Sequence, residues 1–412
     1  MKPADIYAVS TAEQRQSTLD LFLIFVGANI VATTFQVGAS LASSFTVAAS
    51  MTLIVVGSAI GAALVAALAP LGSRLGVPSI IATRPALGMH GAAIVAALLY
   101  ASNFAWIALN NVIAASACAR ALGGVEAVWA ILLGLVATVV VASGPRAVAL
   151  ADRVAVPLLL ILGIVLTMAC LRAPSAAAAL PPAGFTWSRG LDVVIGYQVS
   201  WILMFADYSR YTRSARGSGL AVFLALASTS IWLMPLGVIG ARAAGSEEPG
   251  AMFAALGLGA AGALLLALAT MTTNFVNIYM SALAWKTLVP RTRDQTVVWF
   301  IGVVGAALSA APAVWLNQYA NFMMILGGTL VPVGGVLIAH YYLATVAAKP
   351  ASGPFAAALY DASGPFRGAS VAGLAAWATG AVAYFAAGGI GGTLPAFAFS
   401  ILVYLGLRRI AA

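Results

Sequence analysis

The residues best suited to chemistry lie in Thr270-Met271-Thr272-Thr273-Asn274-Phe275-Val276-Asn277, inside an apolar run from about Ala251 to Trp285. At helical spacing Thr270, Asn274 and Asn277 share one face, and Thr273 lies beside Asn277. A threonine is tolerated at membrane depth because its hydroxyl bonds the carbonyl one turn back. An asparagine is not, since its amide needs partners that hydrocarbon does not supply. The stripe must therefore face another helix or a water-filled cavity. Hydroxyls and amide oxygens without a carboxylate suit a weakly held monovalent cation and a neutral, hydrogen-bonding solute. They suit equally well a set of interhelical hydrogen bonds worth about 0.6 kcal/mol each.

Two further stretches carry aromatic and polar groups together. Asn103, Trp106, Asn110 and Asn111 interrupt one apolar run, and the i, i+4 pair Trp106 and Asn110 projects a ring and an amide together. A planar heterocycle needs that combination: a stacking face with an in-plane donor and acceptor. The plain alternative is a packing tryptophan beside a bonded asparagine. In Gly196-Tyr197-Gln198-Val199-Ser200-Trp201, residues Tyr197, Ser200 and Trp201 recur at i, i+3, i+4. Near the start, Gly27-Ala28-Asn29-Ile30 is followed by Thr33, Thr34, Gln36 and Gly38. Such residues mark either a discontinuous helix whose freed carbonyls line a site, or close helix packing. Asp207 and Arg210 form either an inner-gate ion pair or a solvated cap. His90 and His340 read as interfacial, and Cys118 and Cys170 as buried small hydrophobes. No acid, lysine or arginine is expected at mid-membrane, which disfavours a strongly charged substrate and a buried proton relay. With no Ser/His/Asp set, metal spacing or P-loop, an enzyme is not indicated.

These groups must be positioned by membrane-spanning helices. The chain has 412 residues, 62% hydrophobic and only 8% charged, with mean hydropathy +1.02, against about 25% charged in soluble domains. Residues 1–18 are polar and lack the layout of a cleaved signal, so the first helix serves for export. Spans of about 20 apolar residues are predicted at 19–41, 47–70, 92–119, 127–143, 148–171, 191–206, 220–241, 251–288, 297–311, 319–345, 371–388 and 394–407. The eighth exceeds one bilayer thickness and predicts tilt, a break or an extramembrane turn. Twelve spans put both termini on one side. If that side is cytoplasmic it holds sixteen of the 20 Lys and Arg residues, leaving only Arg120, Arg172, Arg189 and Arg242 opposite. The net charge of +9 thus reads as orientation in a cell (inner) membrane, not nucleic-acid binding. A loop is expected from Gly76 to Gly88, a linker over 346–370, and packing helices over 371–412.

The motifs resemble the nucleobase–cation symport-1 transporters, within them the cytosine permease and hydroxymethylpyrimidine permease-like group. The resemblance rests on Gly27, the Gly76–Gly88 segment, Trp106, Ala206-Asp207-Tyr208-Ser209-Arg210-Tyr211, Thr272-Thr273-Asn274 and Pro332-Val333-Gly334-Gly335. It implies an all-α fold of about 12 spans: a five-plus-five inverted-repeat core (about 19–171 and 191–345) with two C-terminal helices, and alternating access. Matched to sodium-coupled relatives, the ion ligands are Gly27, Ile30, Ala269, Thr272 and Thr273. The matched substrate positions are Trp106, Asn110, the segment around Gln198, and Asn274, with Asn277 close to a further amide position. Relatives often carry an aromatic residue where Gln198 aligns, so Tyr197 or Trp201 is an alternative there. The family's Ala-Asp-Tyr also reads Ala339-His340-Tyr341 here. The function implied is symport of a neutral pyrimidine-type base, hydroxymethylpyrimidine or cytosine, with Na+ or H+. A purine, hydantoin or allantoin is the alternative cargo. A channel lacks its continuous polar pore and a membrane-embedded enzyme its nucleophile or metal set. No cofactor beyond the coupling ion is implied. The partners are the small solute and the bilayer, with no nucleic acid and no obligate protein partner.

Overall fold

In the apolar surroundings that this composition demands, backbone groups must bond within their own segment, and the helix is the element that does so. The computed structural model describes residues 7–173, 184–289, 291–344 and 354–411, and among them it is helical with no strand longer than an isolated bridge. The first expected span is two helices, α1 (Thr18–Asn29) and α2 (Ala32–Leu41), bent by 58°. The break falls at Ile30–Val31, not at Gly27. Both residues there are β-branched and leave the helical region, Val31 lying at φ −137°, ψ 160°. The freed carbonyl of Asn29 accepts the Thr34 hydroxyl at 2.7 Å.

Next come α3 (Val47–Leu75), closed by left-handed Gly76, and α4 (Ser79–Leu122). Helix α4 begins directly after Pro78, so most of the expected 76–88 loop is helical. It kinks at Gly88 (φ 75°), where a Cβ would meet the Gly368 carbonyl at 2.6 Å. The kink leaves the N–H groups of Met89 and His90 without helical partners. They donate to the carbonyls of Phe366 (2.9 Å) and Gly368 (2.8 Å), while Ser370 N–H donates to Leu87 (2.9 Å). The described part of the expected linker is thus bonded into the kink.

The chain continues through α5 (Glu126–Ala142), α6 (Pro145–Arg172) and α7 (Trp187–Val199), which tightens into a 3₁₀ turn over Ser200–Met204. Helix α8 spans Ala215–Ala244. The over-long eighth run is a short α9 (Pro249–Ala255), a turn at Gly257 (φ 71°), and α10 (Gly259–Leu288). Beyond lie α11 (Asp294–Leu308), α12 (Pro312–Asn317) and α13 (Tyr319–Ile338), the last ending in a π turn over Ala339–Ala344. The described chain closes with α14 (Pro354–Tyr360), α15 (Val371–Ala386) and α16 (Thr393–Ala411).

Two helix groups result. In one, α3 and the α1–α2 pair pack on α8, and α3 also packs on α7. Contact between α2 and α8 is so close that a Cβ at Gly38 would come 1.7 Å from the Met234 carbonyl oxygen. In the other, α4 packs on α10, α5 and α11. Helices α15 and α16 cover α13.

The two ends of the bundle are distinct. At one, Val9 N–H donates to Gly76 (2.7 Å), and the Gln14 amide to the carbonyls of Ser73 (2.9 Å) and Arg210 (3.0 Å). His340 lies at the same end, as the chain's alternation requires. It is buried, its Nδ1 2.7 Å from the Tyr404 hydroxyl and 3.1 Å from an Arg408 nitrogen. At the other end Arg120 pairs with Glu248 (2.7 Å). Asp192 there caps α16, accepting from the N–H groups of Gly392 (2.6 Å) and Thr393 (3.2 Å). Asp207 and Arg210 are both buried, so they are not a solvated cap. The buried Asp207 carboxylate accepts the Ser79 hydroxyl (2.5 Å), while Arg210 donates to the Tyr7 carbonyl (3.3 Å) and the Tyr211 hydroxyl (2.8 Å).

Candidate substrate site

The two helix groups meet at a cavity of about 40 Å³ beside the α1–α2 break. Trp106 of α4 forms one wall; Tyr197, Ser200 and Trp201 of α7 and its 3₁₀ turn form a second. Thr273 and Asn277 close it from α10. The i, i+3, i+4 pattern of Tyr197, Ser200 and Trp201 thus lands on one cavity. Ala28, Val31, Thr33, Met204 and Val276 also line it, and the sequence did not single them out as site residues. The signals were present: Val276 and Met204 lie at helical spacing from Thr273 and Ser200, and Thr33 lies just past the break.

Trp106 meets Tyr197 (5.9 Å) and Phe322 (5.2 Å) edge to face, and Trp201 lies tilted 5.4 Å from Phe25. No charged side chain lines the cavity. A space of about 40 Å³ holds water, whereas small-molecule sites are about 300–1,000 Å³.

The remaining predicted residues lie behind this lining. Gln198 points away, its amide donating to the Leu226 carbonyl (3.3 Å) and the Ser230 hydroxyl (2.9 Å) of α8. Asn110 donates back to the Trp106 carbonyl (2.8 Å), and its own carbonyl accepts Thr270 (2.8 Å). Asn274 donates to Asn111 (2.8 Å) and accepts from Asn277 (3.3 Å). The polar stripe of α10 is therefore divided. Thr270 and Asn274 join α10 to α4, while Asn277 and Thr273 reach the cavity.

Of the five expected cation ligands, Thr273 lines the cavity. The hydroxyls of Thr272 (3.0 Å) and Thr273 (2.7 Å) both converge on the Ala269 carbonyl. Gly27 lies in the last turn of α1, Ile30 at the break itself, and α1 touches α10. The set is one of hard, neutral oxygens, which fits a small monovalent cation. Among the described residues no cluster of His, Cys, Asp or Glu could hold a metal ion.

A family model described as permease for cytosine/purines, uracil, thiamine, allantoin matches residues 8–406. The chain belongs to this family. It is a multi-pass membrane transporter of the nucleobase–cation symport group and not an enzyme. The cytosine permease of Escherichia coli strain K12 is 24% identical over 336 residues, 80% of this chain and 78% of that protein. In fold the chain is similar to Mhp1, a nucleobase-cation-symport-1 transporter, closed with bromovinylhydantoin bound (TM-score 0.81, 19% identity, covering 99% and 95% of the two chains). It is equally similar to inward-facing Mhp1 (TM-score 0.83, 18% identity, covering 100% and 94%).

Proposed function

We propose that this permease is a secondary active symporter importing a neutral pyrimidine-type base, hydroxymethylpyrimidine or cytosine, coupled to Na+ or H+. It works by alternating access between two inverted repeats, about 19–171 and 191–345, with both termini in the cytoplasm. The observation that carries the reading is the cavity at the α1–α2 break: three aromatic side chains, hydroxyls and one amide, with no charged group in its lining. Such a lining favours a flat neutral solute, since a charged one would lose its hydration without an opposite charge to replace it. Trp106 stacks on the ring, Asn277 hydrogen-bonds its edge, and Tyr197 and Trp201 flank it. Asn110, Gln198 and Asn274 hold these groups in place from behind. The cation lies at the Ala269, Thr272 and Thr273 oxygens with carbonyls near Gly27 and Ile30. A thermal-shift panel tests this: cytosine, hydroxymethylpyrimidine, uracil, hypoxanthine, hydantoin and allantoin, each with and without Na+. A shift by the first two alone supports the reading. A shift confined to hypoxanthine, hydantoin or allantoin replaces the pyrimidine.

A further inference from the structure

Four arginines lie at the end of the bundle opposite the termini, and three are held by the protein. Arg120 pairs with Glu248 at 2.7 Å. Arg189 donates to Asn321 at 3.1 Å and lies over the Phe185 ring. Arg242 donates to the carbonyls of Ala42 (3.2 Å) and Phe45 (2.5 Å). Arg172, the last residue of α6, has no hydrogen-bond, ion-pair or ring partner among the described residues.

Arg172 stands at a cavity of about 480 Å³ between the end of α6 and the α9–α10 turn. Val165 and Met168 form one wall, Leu256 and Leu258 the other, and among the described residues no carboxylate lines it. Val165 is 39% exposed and Met168 47%. In a chain of this composition, such surface on a peripheral helix faces lipid. An occupant must therefore be apolar along α6 and anionic where α6 ends. A guanidinium presents paired donors that match a phosphate. A soluble anion would use Arg172 and leave the apolar walls bare.

We infer that the groove between α6 and the α9–α10 turn binds an anionic phospholipid, its phosphate on Arg172 and an acyl chain along Val165 and Met168. The lipid then lies between the end of α6 and the α9–α10 turn. This site is separate from the substrate cavity and does not depend on which base is carried.

The test is native mass spectrometry of the full chain in mild detergent, titrated with phosphatidylglycerol or phosphatidylcholine of identical acyl chains. The parent should retain phosphatidylglycerol about fivefold better, the preference one arginine contributes at a membrane surface. Arg172→Gln should abolish that preference and Arg189→Gln should keep it. Leu256→Trp, which fills the groove without touching the charge, should lower retention of both lipids at this site. Equal retention of the two lipids by the parent, or a preference that survives both Arg172→Gln and Leu256→Trp, overturns the inference.

Discussion

The phenolic oxygen of Tyr197 lies 2.5 Å from the Thr34 hydroxyl and 3.2 Å from the side-chain oxygen of Asn29. One residue of α7 therefore grips both sides of the break in the first span. The Asn29 amide continues the network into α8 through Thr229 (2.7 Å) and Ser230 (3.0 Å). The Tyr197 ring meanwhile meets Trp106, from the other helix group, across the cavity. Cavity wall and helix break share a single support. Tyr197→Phe keeps the ring and removes that support, leaving Asn29 short of a donor at a cost of about 1–3 kcal/mol. A lower unfolding midpoint with weakened uptake is expected. A variant as stable as the parent would show that the hydroxyl contributes nothing to the break.

Trp106→Ala removes one cavity wall and, in this account, the stacking face for the base. Uptake should be abolished while folded protein remains in the membrane, judged by size-exclusion profile. Unchanged uptake would assign this tryptophan to packing alone.

Asn274 and Asn277 are separable. Asn277→Leu should eliminate base binding, and it also removes the donor to the buried Asn274 oxygen, at a cost of about 1–3 kcal/mol. Asn274→Leu leaves Asn111 and Asn277 each lacking a partner in a buried setting, so a stability loss of about 1–3 kcal/mol is expected. Binding to folded Asn274→Leu should be weakened less than binding to Asn277→Leu. Equal loss of binding at equal stability would put both amides on the ligand.

Much of this was legible in the residues. The helical periodicity of Tyr197, Ser200 and Trp201 placed three side chains on one cavity, because a single face of a helix can be read from spacing alone. The excess length of the eighth run predicted tilt, a break or a turn, and a turn is found at Gly257. What spacing does not carry is which neighbour a face meets. Gln198, adjacent to Tyr197, turns towards Ser230 of α8, a contact 32 residues away that periodicity cannot encode. The break moved from Gly27 to Ile30–Val31 for a related reason. Glycine permits a break, but tertiary partners such as Thr34 and Tyr197 decide where it forms. Residues 354–370 looked like linker because they are rich in glycine, proline, serine and alanine. Their order comes from the unpaired N–H groups at the α4 kink.

That kink is open to its own test. A side chain at Gly88 would require a left-handed backbone and would press on the Gly368 carbonyl. Gly88→Ala should release the 361–370 stretch and make it accessible to limited proteolysis in the folded protein. A digestion pattern identical to the parent would mean the docking does not depend on this glycine.

The coupling ion is the central claim. The ligands available at Ala269, Thr272 and Thr273 are neutral oxygens, and none of the cavity-lining side chains is an acid that could carry a proton. Base affinity should therefore rise with Na+ through reciprocal linkage. Thr273→Val is nearly isosteric, so it should remove that dependence while leaving fold and packing intact. The most direct measurement is the affinity for cytosine and hydroxymethylpyrimidine in purified protein, taken across Na+ concentration at fixed pH and across pH at fixed Na+. The account predicts affinity that climbs with Na+, is flat in pH, and loses its Na+ dependence in Thr273→Val; affinity indifferent to Na+ and steepening in acid would contradict it.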